Sequence, residues 1–197
     1  MIEPTHFLSR LRVETRPEHD AIEAALDLTC RALTRESYRR TLEHFYGYYQ
    51  PLEVAVRAVQ GWGGHGLDPD ERRKTQLLEF DLRALGVVAS LDSLPVCHDI
   101  PPVDRLAAAF GYLYVTEGAT LGGQIISRHV RQAIGVTPES GGRFFHGYGE
   151  RTGIMWQTFR TALAAFATTR DTQDEVVASA VQTFRTLRAW CEPRDTA

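Results

Sequence analysis

The feature that most constrains the fold is the segment 103–135, whose apolar residues recur every three or four positions. This spacing is typical of an amphipathic α-helix and disfavours a β-sheet. Gly118, Gly122 and Gly123 nevertheless lie in the middle of the segment. A glycine inside a helix costs about 1 kcal/mol relative to alanine, so the three cost roughly 3 kcal/mol unless bare backbone is needed there.

Two explanations of these glycines remain open from the sequence. Small residues four positions apart allow a neighbouring helix to approach closely. Alternatively, a flat ligand lies against the helix, where the missing side chains leave room and a kinked backbone offers free N–H and C=O groups. The spacing alone does not choose between a packing contact and a ligand site.

Length and charge restrict the class of protein. A chain of 197 residues can bury a full hydrophobic core, and we predict a single domain, residues 1–197. The formal charge of −3 and the absence of a long basic patch disfavour nucleic acid as a partner. No apolar run approaches the roughly 18 residues of a membrane helix, and the first residues do not resemble a signal peptide. We therefore expect a cytoplasmic protein without a membrane partner.

The cysteines give no sign of a disulfide framework or a thiolate metal site. Cys30, Cys97 and Cys191 are odd in number, far apart and in no Cys-x-x-Cys pair. Such spacing is typical of free structural thiols in a reduced compartment.

Helical patterns extend over most of the remaining chain. Residues 15–18, Thr-Arg-Pro-Glu, have the form of a capping box and predict a helix that begins there and ends near Leu28. Asp68 and Pro69 are expected to cap another helix, which Gly86 ends. The periodicity predicts helices at residues 34–59, 68–85, 150–167 and 171–190.

His19 is the first candidate functional residue. It shares a helix face with Ile22, so we expect its side chain to point toward the interior. Glu23 follows at i+4, where a carboxylate can accept one ring N–H and leave the other nitrogen free for a metal. Arg12 and Arg16 precede the histidine by seven and three residues and bring positive charge to its side if the helix continues back past residue 17.

These features together suit haem. A histidine can ligate the iron, arginines can bind the propionates, and a helix without side chains leaves space for a small gas on the other face. Arg160, on a later apolar helix, is a further candidate for a propionate. A histidine on an apolar face is more often only a core residue, but the carboxylate and the cations beside His19 favour a site.

Five motifs of this chain resemble those of the bacterial haem oxygenases, including the members that accompany bacteriophytochromes. The resemblance spans nearly the whole chain, and the fourth motif, which carries the glycines, is the most specific. The motifs are ETRPEHDAIE, FYGYYQPLE, KTQLLEFDLRALG, GYLYVTEGATLGG and GERTGIMWQTFR.

The resemblance implies an all-α, single-domain helical bundle with haem between a proximal helix and a glycine-kinked distal helix. His19 would be the axial iron ligand and Glu23 its hydrogen-bond partner. The resemblance places Arg12, Arg16 and Arg160 near the propionates, and Gly118, Gly122 and Gly123 on the distal wall. Mammalian-type members have an aspartate after the first distal glycine, where this chain has Ala119.

The family's reaction would be the oxidative opening of haem b to biliverdin, carbon monoxide and free iron, with haem as both cofactor and substrate. It would need O2 and an external electron donor such as ferredoxin or a flavin reductase. A bacteriophytochrome could receive the biliverdin.

Three alternatives remain at this stage. A non-catalytic haem carrier or sensor would use the same histidine and glycines. A thiamin-pyrimidine hydrolase needs an activated cysteine, and a di-iron oxidase needs paired Glu-x-x-His motifs that the chain does not contain. A purely structural helical protein would leave the cost of the three glycines unexplained.

Overall fold

The computed structural model describes residues 4–87 and 91–192, so residues 1–3, 88–90 and 193–197 of the predicted domain lie outside the described range. The described residues form α-helices and short 3-10 turns without a β-strand, which confirms the all-α prediction. The helices are α1 (Pro4–Leu26), α2 (Arg35–Ala58), α3 (Thr75–Ala84), α4 (Leu106–Ile134), α5 (Arg143–His146), α6 (Thr152–Phe166) and α7 (Arg170–Cys191).

The two most extensive helix–helix contacts involve α7, which packs against both α4 and α1. Helices α5 and α6 pack on α4, and α2 packs on α3 and α7. The buried apolar side chains of these helices belong to one hydrophobic cluster. Among the described helices none is both long and apolar enough to cross a membrane. The arrangement leaves α1 and α4 as two walls of the space described below.

Helix α4 follows the prediction closely. It begins three residues later than predicted and continues through all three interior glycines to Ile134. Gly135 then ends it in the left-handed conformation, with φ of 69°. Apolar periodicity was therefore sufficient to identify this helix. Its C-terminal end could be predicted as well, because Gly135 is a local signal.

The predicted start of α1 is wrong. Thr15 does not cap a helix; it lies inside α1, and its hydroxyl donates to the Leu11 carbonyl at 2.8 Å. The helix continues through Pro17, which cannot donate a hydrogen bond to the carbonyl of Val13. Val13 is 71% exposed, so solvent can reach this part of the helix. As a result Arg12, Arg16 and His19 stand on one continuous helix.

The predicted start of α3 is also wrong. Asp68 accepts a hydrogen bond from the Asp70 N–H at 2.8 Å and begins only a 3-10 turn. The cap of α3 comes from α2, where the buried carboxylate of Glu53 accepts the N–H of Lys74 at 2.5 Å and that of Thr75 at 3.3 Å. A carboxylate 21 residues earlier in the chain gives no local signal, so the sequence could not reveal this cap.

Candidate functional site

A mainly apolar cavity of about 630 Å³ lies among α1, α4 and α6. Aromatic side chains of α2 and α5, two side chains of α7, and Leu28 and Lys74 from the connecting segments also line it. Among the histidines of the described residues, only His19 lines it. All eight residues that the sequence singled out are brought together in the lining: Arg12, Arg16, His19, Glu23, Gly118, Gly122, Gly123 and Arg160.

The His19 imidazole lies between two carboxylates of its own helix. Its Nδ1 is 3.3 Å from Oδ1 of Asp20, and its Nε2 is 3.6 Å from Oε1 of Glu23. The ring also packs edge-on against Phe184, with 5.9 Å between centroids. The side chain is 47% exposed, so one ring nitrogen can be fixed by a carboxylate while the other remains available to a metal. Sequence reasoning named Glu23 but missed Asp20, the closer of the two.

The three predicted arginines differ in their partners. Arg16 is paired with Asp20, whose oxygens accept from Nε at 2.7 and 2.8 Å. Arg12 and Arg160 form no salt bridge within residues 4–87 and 91–192. Both influence the Tyr114 hydroxyl: burial raises the pKa of Tyr114, and a hydrogen bond with Thr15 and the charges of the two arginines oppose that rise. Two unpaired guanidinium groups at one cavity can bind the carboxylates of a ligand by donating hydrogen bonds to them.

The three glycines of α4 have different surroundings. A Cβ atom at Gly122 would meet nothing within 4 Å, and one at Gly118 would touch only the Trp156 ring, at 3.7 Å. A Cβ atom at Gly123 would lie 2.7 Å from the carbonyl oxygen of Phe145. The packing explanation therefore holds at Gly123, whereas Gly118 and Gly122 have the open space that the ligand explanation requires. Close packing of α5 requires Gly123, whereas Gly118 and Gly122 leave bare backbone facing the cavity.

Two hydroxyl groups accompany that bare backbone. Thr116 and Thr120 line the cavity on either side of Ala119, the position where mammalian-type members have an aspartate. The Thr120 hydroxyl donates to the Glu117 carbonyl at 2.6 Å, which leaves its oxygen lone pairs as acceptors. The polar groups on this wall are thus neutral hydroxyls and peptide groups.

Sequence reasoning missed a buried charged cluster behind the glycines. Glu117 is completely buried, and its carboxylate binds Arg72, Lys74 and Tyr148. Burial lowers the pKa of Lys74, and the charge of Glu117 opposes that shift. One signal was available, because Glu117 falls on the same face of the helix as Leu113 and other buried apolar residues, where an unpaired carboxylate would be costly.

Asp81 holds the segment that carries two aromatic residues of the cavity. Its carboxylate accepts the N–H groups of Arg143 at 2.8 Å and Phe144 at 2.7 Å, at the beginning of α5. Phe144 and Phe145 then reach the cavity. Burial raises the pKa of Asp81 to about 6, although the two N–H groups and the Arg143 charge oppose this rise.

This raised pKa predicts a pH dependence of stability. The folded chain holds the Asp81 proton more tightly than the unfolded chain, so its contribution is complete below about pH 4 and is lost as the pH rises through 6. The difference from the ordinary pKa of 3.8 corresponds to about 3 kcal/mol. We expect the free energy of unfolding of the wild type, relative to Asp81→Asn, to fall by about that amount between pH 4 and 7. Urea denaturation across this range measures it, and a pH-independent difference would contradict it.

A helical fold that encloses a mainly apolar cavity between a histidine-bearing and a glycine-bearing helix has room for a flat ligand and a nitrogen donor beside it. The comparison with protein families is more specific. The model of the haem oxygenase family, described as Heme oxygenase, matches residues 5–193. The chain therefore belongs to the haem oxygenase family, as the sequence motifs predicted.

Individual relatives agree with this membership. The haem oxygenase of Xanthomonas campestris pv. campestris (strain 8004) is 42% identical over 62 residues, which are 31% of this chain and 33% of that protein. The chain thus matches about a third of the length of this curated relative.

Solved structures of haem oxygenases share the fold. The NO- and CO-bound enzyme of Neisseria meningitidis has a TM-score of 0.78 at 20% identity, over 97% of this chain and 94% of that chain. Haem oxygenase-1 of the cyanobacterium Synechocystis, in complex with haem, has a TM-score of 0.74 at 17% identity, over 94% and 90%. At such identities the likeness concerns the fold alone.

Proposed function

We propose that this protein is a haem oxygenase, which uses O2 and electrons to open haem b to biliverdin, carbon monoxide and free iron. The observation that carries the proposal is the cavity itself. His19, its only lining histidine among the described residues, and the bare backbone of Gly118 and Gly122 contribute to the same space. A purely structural bundle would have filled that space with side chains.

The residues present fit haem by the chemistry of their donor atoms. His19 would supply the axial nitrogen, with Asp20 or Glu23 accepting the other ring N–H. Arg12 and Arg160 are free to bind the two propionates, whereas Arg16 would have to share its charge with Asp20. The aromatic and aliphatic lining suits the faces of the porphyrin.

When bound, haem would supply the iron that activates O2 and the ring that is oxidised. The chain would orient the haem and exclude water from it. The Trp156 and Phe144 rings line the cavity and would exclude water from the bound haem, and the arginines would hold its propionate edge. Thr116 and Thr120 can hold ordered water beside the bare backbone, without a strong acid at the reacting position.

The proposal includes an external electron donor, such as ferredoxin or a flavin reductase. It also includes biliverdin as a product that a bacteriophytochrome could receive. The resemblance of the motifs to the phytochrome-associated members supports these two partners.

Turnover separates this function from that of a haem carrier. Purified protein loaded with one equivalent of hemin should lose its Soret band when ascorbate, or ferredoxin with its reductase, is added under air. A bilin that absorbs in the red should appear, and chromatography should identify it as a biliverdin. The control is the same mixture without reductant. A Soret band that persists through many equivalents of electrons would show a carrier and overturn the proposal.

A further inference from the structure

The glycine segment of α4, residues 118–122, has little to hold it on the cavity side. Among the described residues, and apart from the helix's own backbone, no atom lies within 4 Å of where a Cβ at Gly122 would be, and only the Trp156 ring lies near one at Gly118. Glycine also gives a helix more conformational freedom than any other residue. A segment that must keep a fixed place beside a ligand therefore needs contacts on its other sides.

Glu117, directly before this segment, makes such contacts. Its Oε1 accepts hydrogen bonds from Lys74 Nζ at 2.6 Å and from the Tyr148 hydroxyl at 2.7 Å. Its Oε2 accepts from Arg72 Nη1. The three donors lie outside α4, in the turn before α3 and in the segment after α5. The carboxylate thus ties α4 to two separate parts of the chain.

A second set of contacts follows the segment. The backbone at Gly123 lies against the carbonyl of Phe145, and Gln124 Nε2 donates to the His146 carbonyl at 2.8 Å. Phe145 and His146 belong to α5, and Tyr148 follows it closely. The glycine segment is thus bracketed by Glu117 on one side and by α5 on the other.

A role of Lys74 as a proton donor to the cavity agrees less well with the geometry. Its Nζ has three N–H groups when charged. Three acceptors already lie in range: the Arg72 carbonyl at 2.8 Å, Glu117 at 2.6 Å and Tyr148 at 2.7 Å. Every N–H is accounted for inside the cluster, so Lys74 reaches the cavity with its apolar stem.

We propose that Glu117 is a positioning residue, which fixes the glycine segment at one place beside the cavity and thereby determines the ring carbon at which haem is opened. The claim about the ring carbon rests on the proposed function, whereas the claim that Glu117 fixes the glycine segment does not. A wall in contact with the ligand blocks most directions of attack, so a displacement of about 1 Å changes which ring carbons are accessible. A buried ionic cluster suits this purpose, because removing one partner leaves an uncompensated buried charge and alternative arrangements of the cluster are therefore costly.

Tyr148→Phe tests the inference with a small change. It removes the hydrogen bond that the Tyr148 hydroxyl donates to the Glu117 carboxylate, and it also removes the acceptor of one Lys74 N–H. Losses of this kind are large enough to speed local opening about tenfold. We expect amide hydrogen exchange in residues 116–123 of the haem-free protein to accelerate by about that factor. In turnover, we expect a second bilin isomer beside the wild-type product, separated by chromatography.

Tyr48→Phe is the matched control. Tyr48 is fully buried and its hydroxyl joins α2 to α7, through the Thr183 carbonyl at 2.9 Å and the Thr186 hydroxyl at 2.7 Å. The same atom is removed far from the glycine segment. This variant should lower the melting temperature without changing exchange in residues 116–123 or the bilin isomer. An identical isomer change in both variants would overturn the inference.

Glu117→Gln is the stronger variant, and Tyr148→Phe decides the question if Glu117→Gln fails to fold. A single unchanged isomer in Tyr148→Phe, with exchange also unchanged, would refute the positioning role. If the wild type makes no bilin, the proposed function fails and the claim about ring position falls with it. The exchange measurement on haem-free protein then still decides whether Glu117 fixes the segment.

Discussion

Replacing His19 with alanine is expected to abolish the imidazole-ligated spectrum of the haem complex and to lower bilin formation by at least about a hundredfold. Even residues that only orient a metal ligand are worth ten- to a hundredfold, and the ligand itself should be worth more. The side chain is half-exposed, so the helical circular dichroism of the haem-free protein should be unchanged. Absorption and electron paramagnetic resonance spectra of the hemin complex measure the loss of the nitrogen ligand.

Added imidazole provides a rescue of this variant. Free imidazole can enter the space that the alanine leaves and should restore part of the imidazole-ligated spectrum. The matched controls are His129→Ala and His146→Ala, because neither side chain lines the cavity and the His129 ring instead contacts the Cys30 carbonyl at 3.0 Å. If one of these controls loses the nitrogen ligand while His19→Ala keeps it, the site is assigned wrongly.

Gly122→Leu is expected to change stability and activity in opposite directions. No atom lies where the new side chain would begin, and leucine favours a helix over glycine, so the haem-free protein should gain about 0.5–1 kcal/mol. The side chain would occupy space beside the ligand. We expect about a tenfold loss in haem affinity and a loss of about a hundredfold or more in bilin formation.

Gly123→Ala is the control for this prediction, since its Cβ would lie 2.7 Å from the Phe145 carbonyl oxygen. That clash should destabilise the haem-free protein by about 1–3 kcal/mol. Thermal denaturation, hemin titration and turnover measure the three quantities. Should Gly122→Leu destabilise the protein as Gly123→Ala does, close packing would explain both glycines and no ligand would be needed.

Helix existence could be predicted from the sequence, but two helix starts could not. The apolar periodicity of α4 and α7 reports which face is buried, and both helices end within three residues of the prediction. The start of α1 was misjudged because a proline usually begins a helix, whereas Pro17 lies in the exposed middle of a long one. The start of α3 depends on Glu53 of α2, and such a contact exists only after the chain has folded.

The residues that line the candidate site were predicted more completely than the partners that hold them in place. The residues named from the motifs line one cavity. They could be recognised in the sequence because residues such as His19 and Gly122 are chemically unusual at their positions in a helix. The pairing of Arg16 was missed although the sequence carried its signal, because Asp20 follows at i+4 on the same helix, a spacing that favours a salt bridge. Arg12 has no carboxylate at that spacing and is left unpaired among the described residues. The partners of Glu117 were missed for the same reason as the α3 cap, because they come from distant parts of the chain.

The bare backbone at Gly118 and Gly122 limits how relatives of this chain can diverge. A surface made of peptide groups has no side chain to exchange, and each substitution on it can only add bulk. Variation that adapts the cavity to a modified porphyrin, or turns the porphyrin in its plane, is therefore expected at lining positions that carry side chains, such as Arg12 and Arg160. The side chains of the cavity, and not its bare backbone, are where such variation is expected.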